Sequence, residues 1–178
     1  MAATNWVIDL EHSEIHFKIR HLLISNITGA FTIFSGKMIN PEHDVFEGSS
    51  FSIKVDVYSV NTNNVERDEH LKSEDFFDAD KYPEVRFDST SFEHIEGDNY
   101  ELKGDLTLKG ITKPVILDVL FGGQAKDGFG NDRAGFEING EIDRNDFNIH
   151  SPEVDEAGGI LFGEDIKIHA NIQYIHEK

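Results

Sequence analysis

The sequence predicts an all-β protein, an antiparallel array of eight strands with one short helical segment around residues 64–77. Three observations carry this. Apolar and polar residues alternate with period two along almost the whole chain, the signature of half-buried strands. The alternating stretches are separated by short Gly-, Asn- and Asp-containing links of the kind that join antiparallel neighbours. One stretch, Asn61 to Phe77, breaks the alternation and carries helix-start chemistry.

The first strand covers residues 14–20, with Ile15, Phe17 and Ile19 on one face and His16, Lys18 and Arg20 on the other. Residues 28–39 are also extended, but the phase slips between Ile33 and Phe34, where a bulge would accommodate both phenylalanine faces. Strand three, 51–60, turns Phe51, Ile53, Val55 and Val57 inward. The later strands fall at 85–94, 99–109, 114–122, 133–142 and 163–175, with ends placed to within about 2–4 residues. Their inward positions are Val85 and Phe87; Tyr100, Leu102, Leu106 and Leu108; Val115, Leu117, Val119 and Phe121; Phe136, Ile138 and Ile142; and Ile166, Ile168, Ile172 and Tyr174. Glu96 to Asn99, Lys109-Gly110 and Asp127 to Asn131 supply the turns, and Pro114 stands at a strand start, where its missing N–H is tolerated.

In the interruption, Asn63 followed by Glu66 is a helix-start pair, and Ser73 is placed to cap a second turn. A helix there sets Arg67, His70 and Leu71 on one face. Eight antiparallel strands with one apolar face fold either as a sandwich or as a barrel. The large apolar residues on nearly every strand favour a barrel, which at eight strands just fills with side chains or encloses one small ligand.

Composition narrows the partners. Against 34 acidic side chains stand 16 basic ones, a formal charge of −18, so nucleic acid and anionic membrane are unexpected partners. Fourteen phenylalanines and a 38 % hydrophobic content are ample for a core, and 178 residues without a linker or repeat read as one domain, 1–178. With no cysteine, neither a disulfide nor a thiolate metal site can form. No apolar run approaches the roughly 20 residues of a spanning helix. The opening Met1 to Asp9 has no basic residue and meets an acid early, so the sequence reads as cytoplasmic and without stable membrane insertion.

The inward residues Phe17, Ile19, Phe31, Phe51, Ile53, Val55, Phe87, Leu102, Leu106, Leu117, Val119, Phe136 and Ile168 either pack into a dry core or line a cavity. Phe76 and Phe77 either anchor the helical segment or touch a ligand, and Arg67 and His70 either pair with rim residues or meet a head group. Of nine histidines, His12, His16 and His169 come nearest to a metal set, but His16 and His169 share the outer face with lysines, and no metal or other cofactor is expected. Ser13 and His12 are adjacent on an extended chain and so point apart, and Glu153 and Asp155 sit in a Gly- and Pro-containing loop. No catalytic residue is assigned and no enzyme is expected.

Between Arg67 and Phe77 the sequence, Arg-Asp-Glu-His-Leu-Lys-Ser-Glu-Asp-Phe-Phe, resembles the YceI family of bacterial lipocalin-like proteins. Trp6-x-x-Asp9, His12-Ser13, Phe17, His21 and Leu22 are similar to that family's opening, and Gly29-x-Phe31 and Ser59 to Thr62 to its next blocks. Tyr82-Pro83, Phe87 to Thr90 and Gly104 to Val115 complete the resemblance in the same order. It implies an extended eight-stranded lipocalin-like barrel that holds a polyisoprenoid or another long-chain amphiphile in its lumen. The inward residues above become the lumen wall, with Arg67 and His70 as head-group or gate candidates. The resemblance is also compatible with a homodimer, although no exposed apolar stripe in the sequence demands one. A stress-related interaction module with a packed core and a small hydrolase stand as alternatives.

Overall fold

Eight long strands coil into one closed antiparallel barrel, which settles the choice against a sandwich. The computed structural model describes residues 2–21, 25–149 and 162–178; Leu22, Glu153 and Asp155 lie outside the described residues.

The first three long strands are each interrupted. The first comprises β1 (Thr4–Ile8) and β2 (Glu14–His21), separated by a 3-10 turn at Leu10–His12 that Asp9 caps by accepting the Glu11 N–H. β1 lies ahead of the expected 14–20 strand, because an alternation as short as Trp6 and Ile8 before Asp9 does not register as a period. β3 (Ser25–Phe31) and β4 (Phe34–Asn40) make the second. The phase slip at Ile33 and Phe34 is here a two-residue break and no bulge. Phe31 and Phe34 are both buried while Ile33 is 55 % exposed. Thr32 N–H donates to the Ser59 carbonyl, and the Ile33 carbonyl accepts from Asp56 N–H. β5 (Ser50–Asp56), a 3-10 turn at Val57–Ser59 and the two-residue β6 (Val60–Asn61) form the third.

The remaining strands are continuous: β7 (Glu84–Glu96), β8 (Asn99–Leu108), β9 (Ile111–Lys126), β10 (Asp132–Asp143) and β11 (Phe162–His176). Hydrogen-bonded neighbours run β1–β4–β5–β7–β8–β9–β10–β11, and β11 returns to β1 with Trp6 opposite His176 and Ile8 opposite Tyr174. The other half of β11 pairs with β2, Ile168 opposite Phe17, and β2 with β3, Phe17 opposite Gly29. Closure of this ring gives every long strand a hydrogen-bonded neighbour on both sides over part of its length.

Two turns follow the sequence closely. Leu108 lies opposite Ile111, so Lys109-Gly110 is a two-residue hairpin turn, and both residues have positive φ, +52° and +75°, as a type I′ turn requires. Glu96 lies opposite Asn99 across Gly97 and Asp98. Strand β9 begins three residues before Pro114, which faces Asp105 on β8; the β9–β10 ladder ends at Asp118 and Asn139, so β9 has only its β8 neighbour there.

Helix α1 (Val65–Lys72) is shorter than the 64–77 expected. Asn64, one residue later than the expected Asn63, is its N-cap and accepts the Arg67 N–H at 3.0 Å. Asn63 is instead in the left-handed region at φ +63°. Ser73 ends the helix rather than opening a second turn, its hydroxyl donating to the His70 carbonyl.

Candidate ligand-binding site

Each strand of the barrel carries inward residues in two groups, and the pairing register sorts them into two halves. Towards the α1 end the inward positions are mostly aliphatic. There they enclose a cavity of about 130 Å³ lined by twenty residues, all apolar except His16. A single water needs about 10–15 Å³ by this measure, so the space is roughly ten waters in size and offers a water almost no polar partner.

Ten of the sequence-predicted residues line this cavity: Phe17, Phe31, Ile53, Val55, Phe77, Phe87, Leu102, Leu106, Leu117 and Ile168. The structure adds Ile15, Val85, Leu108, Val115, Ile138, Ile142, Ile166, Ala170 and Ile172. All of these are inward in the alternation, Ala170 sharing the phase of Ile168 and Ile172 but being too small to stand out there. Selecting among them needs the cross-strand register, which alternation does not contain.

Phe51, Val119 and Phe136 are buried away from the cavity, in the opposite half. There Phe136 lies 5.3–6.1 Å, centroid to centroid, from Phe46, Phe51, Phe92, Phe121 and Tyr174. Trp6 and Phe46, the latter brought in by the loop between β4 and β5, close the cluster from below at 5.9 Å. This half is a packed aromatic core. Ile19 is buried between Ile27 and Ile166, outside the cavity wall.

Three glycines shape the lumen, and the sequence reading does not single them out for that role. A Cβ on Gly29 would sit 2.3 Å from Phe17 Cζ, one on Gly104 2.5 Å from Phe87 Cζ, and one on Gly140 2.3 Å from Leu117 Cδ2. In each case a large side chain occupies the space that a Cβ at the glycine would need. Space in the lumen therefore depends on the missing side chains.

The segment after α1 covers the cavity. Phe77 stands 6.1 Å from Phe17 and 5.8 Å from Phe31 and enters the wall, whereas Phe76 lies beneath His70 at 5.1 Å. Lys109 ties this cover down, donating to the carbonyls of Glu74 (3.0 Å) and Asn148 (3.2 Å). Arg67 donates from Nε and Nη2 to the Thr62 hydroxyl and carbonyl at 2.8 and 2.6 Å. Asp68 in turn accepts from the Thr62 N–H and hydroxyl. His70 Nε2 pairs with Asp75 at 3.1 Å. Arg67 thus ties α1 to the chain just after β6, and His70 pairs within the helical segment.

Among the described residues His16 is the one titratable residue at the cavity wall, and its imidazole pairs with Glu14 on the outer face. His12 pairs with Asp9 at 2.6 Å while Ser13 bonds the Gln173 backbone, so the two do not form a nucleophile and base. His16 and His169 are direct cross-strand partners on the outer face, where His16 pairs with Glu14 and His169 with Asn139. What such a site can do is partition hydrocarbon out of water.

Comparison with known proteins agrees with this geometry. The YceI-like domain model matches residues 6–174. A YceI protein of Escherichia coli is 42 % identical over 149 residues, 83 % of this chain and 77 % of that protein. The crystal structure of the Campylobacter jejuni YceI protein superimposes with a TM-score of 0.75 at 32 % identity, covering 90 % of this chain and 91 % of the other. A polyisoprenoid-binding domain from Saccharophagus degradans shares the fold, with a TM-score of 0.69 over 97 % of this chain and 98 % of the other, at 14 % identity.

Proposed function

Because the chain belongs to the YceI-like family, we propose that it is a non-catalytic binding protein that carries the hydrocarbon part of an amphiphile in the α1 half of the barrel. The observation that carries this reading is the cavity itself, apolar at nineteen of its twenty lining positions and covered by Phe77. A chain of isoprenoid or fatty-acyl type suits it. The structural relative named as a polyisoprenoid-binding domain supports the isoprenoid choice.

The dimensions set the scale. On β11 the lining runs from Ile166 to Ile172. At about 3.3 Å per residue and a strand tilt near 40°, that is roughly 15 Å along the barrel axis. A segment of about ten methylenes fits that length and contributes on the order of 8 kcal/mol at 0.8 kcal/mol each, before ordering costs of several kcal/mol. Micromolar binding then needs no polar contact to the head group. The surplus of acidic side chains on the outside keeps the loaded barrel soluble and away from anionic surfaces.

Freshly purified protein, extracted with organic solvent and analysed by mass spectrometry, is expected to release a long-chain species in near-stoichiometric amount. An extract free of lipid, together with no uptake of fatty-acyl or isoprenoid probes by the stripped protein, would overturn the reading.

A further inference from the structure

Outside the lumen, at the aromatic end of the barrel, three metal-ligating side chains converge from segments far apart in sequence. His43 lies on the loop joining β4 to β5, Asp132 opens β10 and His176 closes β11. One ligating atom from each lies within 4.8 Å of the others, and all three residues are half-buried. The two imidazoles meet edge to face at 4.8 Å, and both rest on Trp6, at 5.9 and 5.1 Å.

His43 faces a carboxylate with each of its ring nitrogens. Its Nδ1 lies 2.9 Å from an Asp44 carboxylate oxygen and its Nε2 3.2 Å from Asp132 Oδ2. A neutral imidazole has one N–H to donate. Given to Asp44, it leaves the Nε2 lone pair facing a carboxylate oxygen with nothing positive between them. A second proton would relieve that contact but would make no use of the neighbouring His176. A metal ion would relieve it and gain His176 as a third ligand.

We propose that His43, Asp132 and His176 form a divalent-cation site that staples the barrel's aromatic end. Two imidazole nitrogens and one carboxylate oxygen, without sulfur, suit Zn²⁺ with its fourth position left to water. Asp44 supplies the outer carboxylate that orients His43, an arrangement common around zinc. Lys126 engages the other Asp132 oxygen, Oδ1, at 3.5 Å, leaving Oδ2 towards the rings. Tetrahedral bonds of 2.0–2.1 Å separate ligand atoms by about 3.4 Å. The His43–Asp132 pair is already near that separation, so the remaining approach is asked of His176. The ion would link the loop that carries Phe46 to the ends of β10 and β11. This assignment is independent of what the lumen holds.

The chain's one tryptophan, Trp6, is the built-in reporter. Zn²⁺ titrated into tag-free, chelator-treated protein is expected to bind with one-to-one stoichiometry at micromolar affinity by calorimetry, to change Trp6 emission and to raise the melting temperature. Cu²⁺ at the same site is expected to quench that emission. His43→Gln and His176→Gln each weaken binding at least about tenfold, in the range seen when metal-site groups are lost. His169→Gln, on another face, leaves binding unchanged. The folded state of each variant is checked by circular dichroism before metal is added. No saturable Zn²⁺ binding by the wild type up to millimolar metal, or equal binding by the His43→Gln/His176→Gln double variant, would overturn the site.

Discussion

The two halves of this barrel are built from the same strands with the same alternation, yet one holds a cavity and the other is solid. β11 shows the change within one strand: Ile166, Ile168, Ala170 and Ile172 line the cavity, and Tyr174, two residues further, is wholly buried among rings. β10 does the same between Ile138 and Phe136, and β5 between Ile53 and Phe51. Aromatic side chains are large enough to meet across the axis of an eight-stranded barrel. The aliphatic residues of the open half leave the axis free, and of the four phenylalanines there, Phe17, Phe31, Phe77 and Phe87, two occupy the space over a glycine, Phe17 at Gly29 and Phe87 at Gly104. Interior volume in this fold is therefore set by residue size at each level of the barrel, while the apolar pattern sets only which way residues face.

If that comparison is correct, the largest difference appears when the same side chain is removed from each half. Phe136→Ala is expected to cost about 3–5 kcal/mol in denaturant unfolding, because it opens a void among five rings. Phe87→Ala, beside an existing cavity, is expected to cost at least about 1 kcal/mol less, since it deletes fewer packing contacts. Equal costs would remove the distinction between the halves. Adding volume sharpens it in the opposite sense. Ala134→Leu in the packed half should lose about 1–3 kcal/mol by overpacking. Val55→Trp in the open half should leave stability within about 1 kcal/mol of wild type while lowering lipid uptake at least tenfold.

A smaller effect concerns Tyr174. Its hydroxyl is the buried side-chain polar atom without a hydrogen-bond partner among the described residues, and burial pushes its phenol above the ordinary value. Tyr174→Phe removes an unsatisfied group while keeping the ring, so a gain of about 1 kcal/mol is expected in thermal or denaturant unfolding.

The smallest concerns acid. On the outside of the packed half, Arg133 donates to Asp9, Asp127 and Gln173, each at 2.7 Å. Hydrogen bonding to Arg133 is the main cause that holds both carboxyls below their ordinary value of 3.8. A lowered folded-state value means that the stabilisation is present above pH 4 and is lost as pH falls through the lowered values. The stability gap between wild type and Arg133→Gln should therefore be steady from pH 7 to about 5 and narrow below about pH 4. A gap unchanged down to pH 2 would contradict the assignment.

Much of this architecture is legible in the sequence because its causes are local. Period-two alternation marks the strands, Lys109-Gly110 marks a type I′ turn, and the break at Ile33 is visible as a phase slip. Asn64 is chosen over Asn63 as the helix cap by backbone geometry that either residue type permits, so composition does not decide between them. The site is half legible. Facing is encoded locally, so ten of the wall residues are found from alternation and family resemblance together. Level along the barrel depends on which residues pair across strands, so Phe51, Val119 and Phe136 are indistinguishable in sequence from Ile53, Leu117 and Ile138. The glycines at 29, 104 and 140 act through a neighbouring strand and leave no local signature. For the same reason, the convergence of His43, Asp132 and His176 is a product of closure alone.

A ladder of saturated fatty acids of increasing length, titrated into stripped protein, tests the account most directly. A methylene buried at about 0.8 kcal/mol tightens binding roughly fourfold. That gain per carbon is expected while the chain extends through the α1 half, then a plateau near ten buried carbons where Phe51, Phe92 and Phe136 block the axis. Affinity that does not rise with chain length, or that climbs without a plateau, would contradict it.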